Sequence, residues 1–267
     1  MQVALFQQLV VVAHQKCATT AGALKGVSTM NLTVENLNFA YTSRTQVLHD
    51  VSFTIPTNCI MGLVGPNGSG KSTLIKVILD LLQLQNGQVK IGSDISQSRN
   101  AKMSSIYLSS NDFLPEFLTG EEYLRFMHGL YGEALDCAAL TSQFAKYSMA
   151  GRHRDLIEDY SHGMRKKLQL IAAFMLRRRL TVIDETLNGI DIDALRIFEG
   201  DVKELVAEGR SVLLCSHDFA MLERVADQLA FLIRGSMVVQ APVGDLIADH
   251  GTIADLANEL IQVMETP

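Results

Sequence analysis

Residues 65–73 read Gly-Pro-Asn-Gly-Ser-Gly-Lys-Ser-Thr, and few stretches this short restrict a fold so tightly. They fit G-x-x-x-x-G-K-[ST], a phosphate-cradling loop that needs a buried strand before it and a helix after it. Both are written in the flanks. Cys59-Ile60-Met61-Gly62-Leu63-Val64 is an apolar run, and Leu74, Ile75, Val77, Ile78, Leu81 and Leu82 follow at helical spacing. Gly65, Gly68 and Gly70 let backbone N–H groups close around phosphate oxygens with no Cβ in the way. The helix start after Gly70 adds partial positive charge at the same spot. Lys71 is placed to neutralise β- and γ-phosphates and the Ser72 hydroxyl to hold Mg²⁺, while Pro66, Asn67, Ser69 and Thr73 complete the cradle. A ligand-free glycine turn would leave strand and helix on either side unexplained.

The whole chain, 267 residues of which 48% are hydrophobic, is large enough for one elaborated domain or two subdomains. A net charge of −6 argues against a nucleic-acid backbone as the main partner. Cys17, Cys59, Cys137 and Cys215 are scattered, which suits a reducing compartment and neither a disulfide frame nor a zinc knuckle. No run approaches the ~18 uncharged apolar residues that would cross a bilayer. A membrane role is therefore expected to come through a partner chain. Residues 1–29 form a separate extension whose short apolar patch lacks the basic residues that precede a secretory signal. An amphipathic docking helix is one reading of it, and a poorly ordered leader ahead of Met30 is the preferred one.

From Met30 the pattern turns to strands. Leu32, Val34, Leu37, Phe39 and Tyr41 share a face, with a slip between Val34 and Leu37 that suggests a bulge. Val51, Phe53 and Ile55 alternate after the polar turn at residues 42–45, so an antiparallel layer precedes the loop. Asn86-Gly87 reads as a turn, with a strand over 88–91. Short apolar runs at 105–108, 180–183 and 211–215 are separated by helical or mixed stretches, as in a parallel sheet covered on both faces; 229–233 is a further run. The segment 113–160 is helical, opened by a capping box at Thr119-Gly120-Glu121-Glu122, and is expected to be a helical subdomain inserted into the sheet domain. A helix over 165–176 is predicted, and residues 241–267 close on an amphipathic helix capped by Thr252.

Leu180-Thr181-Val182-Ile183-Asp184-Glu185 is a buried strand ending in two carboxylates. Beside a phosphate loop, Asp184 suits Mg²⁺ and Glu185, one residue on, suits polarising a water for attack on the γ-phosphorus. Ser161 is a good N-cap, and Gly163 permits close approach at the start of the long helix.

Taken in order, these segments resemble the ATP-binding subunit of an ABC transporter over about residues 30–240. The resemblance implies an α/β P-loop NTPase core: a parallel sheet flanked by helices, an antiparallel β layer and the inserted helical subdomain. It implies that Tyr41 stacks on adenine, and that Ser161, Gly163 and Met164 contact ATP held by a second nucleotide-binding domain, identical or different. It further implies that Glu185 is the catalytic base, Gly189-Ile190-Asp191 a communicating loop, and His217 a switch on the γ-phosphate. The implied cofactors are ATP and Mg²⁺. The implied partner is an integral membrane permease, which would place the chain on the cytoplasmic face of the membrane. The Thr119-Gly120-Glu121 element and the Ser161–Met164 form look most like the branch that exports drugs or antibacterial peptides.

Three departures stand out. Ser109-Ser110-Asn111 lies where the family usually has Gln, and Asn111 could substitute only if the loop shifts by one residue. His162 replaces a glycine, and Thr186 follows Glu185 where the family normally has Pro. Arg177-Arg178-Arg179 is explained by the helix dipole rather than by a nucleic-acid patch. Phe113, Leu114, Phe117 and Leu118 either form a groove for a membrane partner or pack on the sheet. A soluble non-transport ATPase of the same family shares every catalytic residue and is the alternative. A small-molecule kinase would have no use for residues 161–164, and a GTPase lacks its N-K-x-D motif.

Overall fold

The structure, a computed structural model, describes residues 30–42, 45–111 and 113–265. The expectations for residues 1–29 and for the tip of the turn at 43–44 lie outside the described residues. Two sheets form the frame. Strands β1 (Met30–Thr42), β2 (Thr45–Pro56), β4 (Asn86–Ile91) and β5 (Asp94–Ile95) make an antiparallel sheet in the order β2-β1-β4-β5. A six-stranded sheet runs β10-β9-β3-β8-β7-β6, built from β3 (Ile60–Val64), β6 (Ser105–Leu108), β7 (Leu180–Asp184), β8 (Ser211–Cys215), β9 (Gln228–Ile233) and β10 (Ser236–Pro242). The ladders from β9 to β6 are parallel, and β10 closes one edge antiparallel to β9.

The apolar runs of the sequence become continuous strands because both faces of this sheet are covered. Leu180 and Val182 face one core with Met61, Leu63, Leu213 and Leu232. Helix α1 (Lys71–Ile78) and the antiparallel sheet close over that core through Leu74, Ile75, Leu32 and Phe53. Ile183 faces the opposite core with Ile60, Val64, Leu214 and Phe231. There the sheet is covered by α5 (His162–Leu176) and α6 (Ile192–Ala207). Helix α5 is buried along most of its length, from Lys166 through Leu176. Between β5 and β6 lies the short α2 (Arg99–Met103), and α7 (Phe219–Val225) leads from β8 to β9.

The segment after Asn111 folds as α3 (Gly120–Leu130) and α4 (Cys137–Lys146) followed by two 3₁₀ turns. The capping box forms as the sequence suggests: Glu122 N–H donates to Thr119 Oγ1 at 3.2 Å and Thr119 N–H to Glu122 Oε2 at 2.8 Å. Such a cap contributes about 1 kcal/mol. Leu124, Leu140, Phe144 and Tyr147 pack this unit into the same core as α5, and buried Asp201 on α6 accepts from Tyr147 Oη at 2.8 Å and from Lys146.

Three features differ from the sequence reading. Asn86-Gly87 is not a turn but the start of β4, where Asn36 and Leu37 of β1 oppose Gly87 alone. Gly87 has φ +95°, and a Cβ there would stand 2.5 Å from the Glu35 carbonyl oxygen, so glycine is used for a bulge and not a hairpin. The long helix begins at His162, three residues before the predicted start at Arg165, because Ser161 caps it. The tail holds two helices, α8 (Val243–His250) and α9 (Ile253–Glu265), broken at Gly251 with φ +85°. Thr252 does cap α9, with Asp255 returning the bond. The bulge between Val34 and Leu37 is present as expected.

Because the β1–β4 bulge admits no Cβ, Gly87→Ala should lower stability by about 1–3 kcal/mol. A fall in the urea midpoint at unchanged slope would show this; an unchanged midpoint would mean the bulge is soft.

Candidate nucleotide site

Strand β3 delivers Gly65 to a crowded point. A Cβ on Gly65 would stand 2.1 Å from the Leu232 carbonyl oxygen of β9 and 2.8 Å from Ser69 Oγ. The loop then turns through Gly68 (φ +79°) and Gly70 (φ +103°), left-handed positions that favour glycine. Ser69 N–H donates to Pro66 O at 3.1 Å, and Gly235 N–H, from the β9–β10 turn, to Ser69 O at 2.9 Å. Gly70 stands at the head of α1 and, having no side chain, leaves the first-turn N–H groups of α1 without a side-chain cap from the N-cap position. The buried Lys71 ammonium folds back, donating to Gly65 O at 2.8 Å and Pro66 O at 3.2 Å. Around it opens a cavity of about 210 Å³ lined by Val47, Asn67, Gly68, Gly70, Lys71, Ser72, Thr73 and Glu185.

The end of β7 supplies the acidic wall. Asp184 is 3% exposed, its Oδ2 accepts from Tyr107 Oη at 3.2 Å, and its Oδ1 has no hydrogen-bond partner among the described residues. Burial, reinforced by the Asp184 charge, pushes the Tyr107 phenol and the Cys215 thiol well above their ordinary ranges. Both therefore stay neutral at physiological pH. Asp184, Glu185 and Cys215 bring ligand atoms within 4.8 Å of one another. The Asp184 carboxylate, next to Glu185 in sequence, and the exposed Ser72 hydroxyl, which lines the same cavity as Glu185, are oxygen donors of the kind that suits Mg²⁺.

Glu185 has φ +53°, the left-handed region, at a cost of about 1–2 kcal/mol for a residue with a Cβ. Its N–H donates to Cys215 O at 3.0 Å, and its Oε1 lies 3.0 Å from His217 Nε2. His217 is exposed and sits in a turn where Asp218 N–H donates to Ser216 Oγ at 3.1 Å.

The other residues singled out from the sequence lie around this cavity or away from it. Tyr41 is 55% exposed beside the loop, its Oη 3.1 Å from Thr73 Oγ1 and its ring edge-on to Phe39. Gly65, Pro66 and Ser69 shape the loop from behind. Ser161, Gly163 and Met164 do not line the cavity. They open α5, where Ser161 Oγ accepts from Met164 N–H at 3.3 Å, and they face the Gly189 turn: the His162 ring and Gly163 both approach Gly189. Asp191 caps α6 and pairs with Lys167 at 2.6 Å. Hydrogen bonding from Lys167, then from Ala194 N–H, holds the Asp191 carboxyl below its usual range.

Sequence reasoning missed Val47, Tyr107 and Cys215. A phenol inside an otherwise apolar run was a legible signal for Tyr107; for Val47, which arrives from β2 by folding alone, there was none. The arginine triplet is spent on structure rather than on a free patch. Arg177 ends α5 with a left-handed φ of +47° and pairs with Glu204 and Glu208, and Arg178 pairs with Glu133 and lies over the Tyr131 ring. Phe113 and Phe117 are 89% and 78% exposed, whereas Leu114 and Leu118 pack inward.

This arrangement of loop, carboxylate pair and histidine at the C-terminal ends of β3, β7 and β8 has counterparts. The sequence model of the family described as ABC transporter matches residues 48–188. The chain belongs to the ABC transporter ATP-binding family. That family hydrolyses ATP. An uncharacterised ABC transporter ATP-binding protein, YdbJ of Bacillus subtilis, is 30% identical over 72% of this chain and 63% of its own length. The linearmycin resistance ATP-binding protein LnrL of the same organism is 30% identical over 82% of this chain and 72% of its own. A fluoroquinolones export ATP-binding protein of Mycobacterium tuberculosis is 29% identical over 79% and 71%. Among solved structures, an ATP-binding subunit of an ABC transporter superposes with a TM-score of 0.79 at 27% identity, over 88% of this chain and 99% of that one. This ABC protein has no helix, among the described residues, long and apolar enough to cross a membrane.

Gly65→Ala must displace either β9 or the loop of this ABC domain. Affinity for a fluorescent ATP analogue should fall at least about tenfold, which corresponds to 1.4 kcal/mol; unchanged affinity would show that the Leu232 contact yields freely.

Proposed function

We propose that the chain is the ATP-hydrolysing motor subunit of an export transporter, working as a pair of nucleotide-binding domains closed around two Mg-ATP and coupled to a separate membrane subunit. The observation that carries this is the convergence of Lys71, Ser72 and Glu185 on one glycine-lined cavity, with Asp184 buried behind and His217 on the Glu185 carboxylate.

In this reading the first-turn N–H groups of α1 and the Lys71 ammonium take up the β- and γ-phosphate charge, exchanging the loop carbonyls for phosphate oxygens. Tyr41 offers its exposed ring to adenine. Bound Mg²⁺, held by Ser72 and Asp184, would add charge neutralisation to the phosphates. Glu185 accepts a proton as a water oxygen attacks the γ-phosphorus; the bond to the β–γ bridging oxygen breaks and ADP leaves with the electron pair. His217 keeps the Glu185 carboxylate directed into the cavity.

The second copy enters through the start of α5. Ser161, Gly163 and Met164 open a fifteen-residue helix whose N-terminus lies outside the cavity of its own domain, and helix N-termini favour anions. Set against the loop of a partner domain, it would clamp the γ-phosphate from the other side. Hydrolysis would then remove the contact that favours closure. The membrane contact is assigned to exposed Phe113 and Phe117, with half-exposed Phe126 of α3 nearby in sequence. Export, rather than import, follows the role named for the fluoroquinolones export relative, and the linearmycin resistance relative is consistent with it.

Glu185→Gln should lower turnover by about 10²-fold or more while ATP binding persists, and should yield an ATP-dependent dimer in gel filtration. Unchanged turnover would remove Glu185 as the base. Charging the apolar patch, in Phe113→Asp/Phe117→Asp, should release the chain from the membranes of its own cells without altering its basal ATP hydrolysis. A wild-type chain that never sediments with membranes would instead favour a non-transport ATPase of the same family.

A further inference from the structure

Thr186 follows Glu185 directly and has no solvent exposure. Its hydroxyl points across to the neighbouring strand, 2.9 Å from Leu108 O and 3.0 Å from Ser109 O. The parallel ladder of β6 and β7 pairs Leu108 with Ile183, so Thr186 joins the two chains beyond the last ladder pair, by side chain where backbone pairing has stopped. The carbonyls that follow are taken the same way. Lys166 donates to Ser110 O, and Gln169 Nε2 and Ser109 Oγ each donate to Asn111 O at 3.0 Å. Four successive carbonyls, Leu108 to Asn111, therefore end on side chains, and the first two on Thr186.

This binding bears on Glu185 through the backbone. A glutamate keeps φ +53° only where its surroundings impose it. On its N-terminal side the restraint is the bond from Glu185 N–H to Cys215 O. On its C-terminal side Thr186 supplies the other, a buried hydroxyl whose single proton is shared between Leu108 O and Ser109 O, with Asp184 O farther off at 3.5 Å. A valine or proline could fill the same space but would give those carbonyls no donor.

We propose that Thr186 is a positioning residue for hydrolysis. Its hydroxyl pins the backbone after Glu185 to the end of β6, holds Glu185 in its left-handed conformation and thereby aims the carboxylate into the cavity. The same bond makes the Leu108–Asn111 segment, which leads on toward exposed Phe113, move with the carboxylate. This rests on the reading of Glu185 as the group that takes the proton of the attacking water.

Steady-state ATP hydrolysis by the full chain tests it, with Thr186→Val, Thr186→Ser, Glu185→Gln and the Glu185→Gln/Thr186→Val pair. Thr186→Val should lower kcat about ten- to hundredfold, as misplacement of a reacting group does. KM for ATP should stay within about twofold, since phosphate binding is untouched. Thr186→Ser, which keeps the donor, should retain most of kcat. On the Glu185→Gln background Thr186→Val should add no further loss. If Thr186→Val does not fold, Thr186→Ala, which removes the donor without setting a methyl against the carbonyls, should give the same split between kcat and KM. Wild-type kcat in the folded hydroxyl-less variant overturns the proposal. So does an equal loss in Thr186→Ser, or an undiminished further loss on the Glu185→Gln background. Normal turnover in Glu185→Gln alone would bring down the reading of the base and this inference together; a crippled Glu185→Gln beside a normal Thr186→Val would bring down only the inference.

Discussion

The site depends on how closely the loop after β3 is pressed against the strand pair β9–β10. Gly65 lies so near the Leu232 carbonyl that no side-chain atom fits between them, and Gly235 N–H donates to Ser69 O from the far side of the same turn. The loop backbone is thus fixed to the β9–β10 side of the six-stranded sheet by the fold itself. With its shape set, Lys71 can be buried as a cation because Gly65 and Pro66 turn their carbonyls onto it. Phosphate oxygens can replace those carbonyls without the loop being rebuilt. Preorganisation of this kind puts the ordering cost into folding rather than into binding.

The sheet also decides where the carboxylates stand. Along β7 the side chains alternate between two cores up to Asp184, its last residue, and just beyond it Glu185 N–H still reaches Cys215 O. Asp184 points one oxygen at Tyr107 and leaves the other free, while the left-handed turn at Glu185 sends the next carboxylate into the cavity. Two acids adjacent in sequence thereby acquire different surroundings. One is dry and hydrogen-bonded by a neutral phenol; the other is partly open and faces a histidine. Environment and not residue type separates their proposed tasks.

Much of this could be read from the chain because the signals are periodic or chemically singular. The phosphate loop, the Asp184-Glu185 strand end, the Thr119 capping box and the parallel runs each depend on a few contiguous residues. What was not legible required distant segments to meet. Asn86-Gly87 has the chemistry of a hairpin turn, yet its glycine is used for close approach to Glu35 and Asn36 across a bulge, and nothing near residue 87 says so. Thr186 looked like an unexplained replacement for a proline until the end of β6 was in place beside it. In the tail the amphipathic helix capped by Thr252 was legible and is α9, whereas α8, which ends at Gly251, was not read as a helix of its own.

Helix α5 ties these elements together. Its N-terminus is the Ser161 cap; its first turns bury Lys166 and Gln169 on the carbonyls of Ser110 and Asn111; Lys167 holds Asp191 at the start of α6; and its C-terminus is fastened by Arg177 to Glu204 and Glu208. A rigid rod tethered at four points cannot move at one without loading the others. If a second domain engages the Ser161 end, the displacement reaches the Leu108–Asn111 segment and the base of α6 within two helical turns, before it is spread through the core. That segment ends on Thr186 and begins the stretch containing Phe113, so the proposed nucleotide clamp and the proposed membrane contact share one mechanical element. Residues 109–111, which depart from the family's usual glutamine, are thus tied to the elements around the site chiefly through their backbone carbonyls.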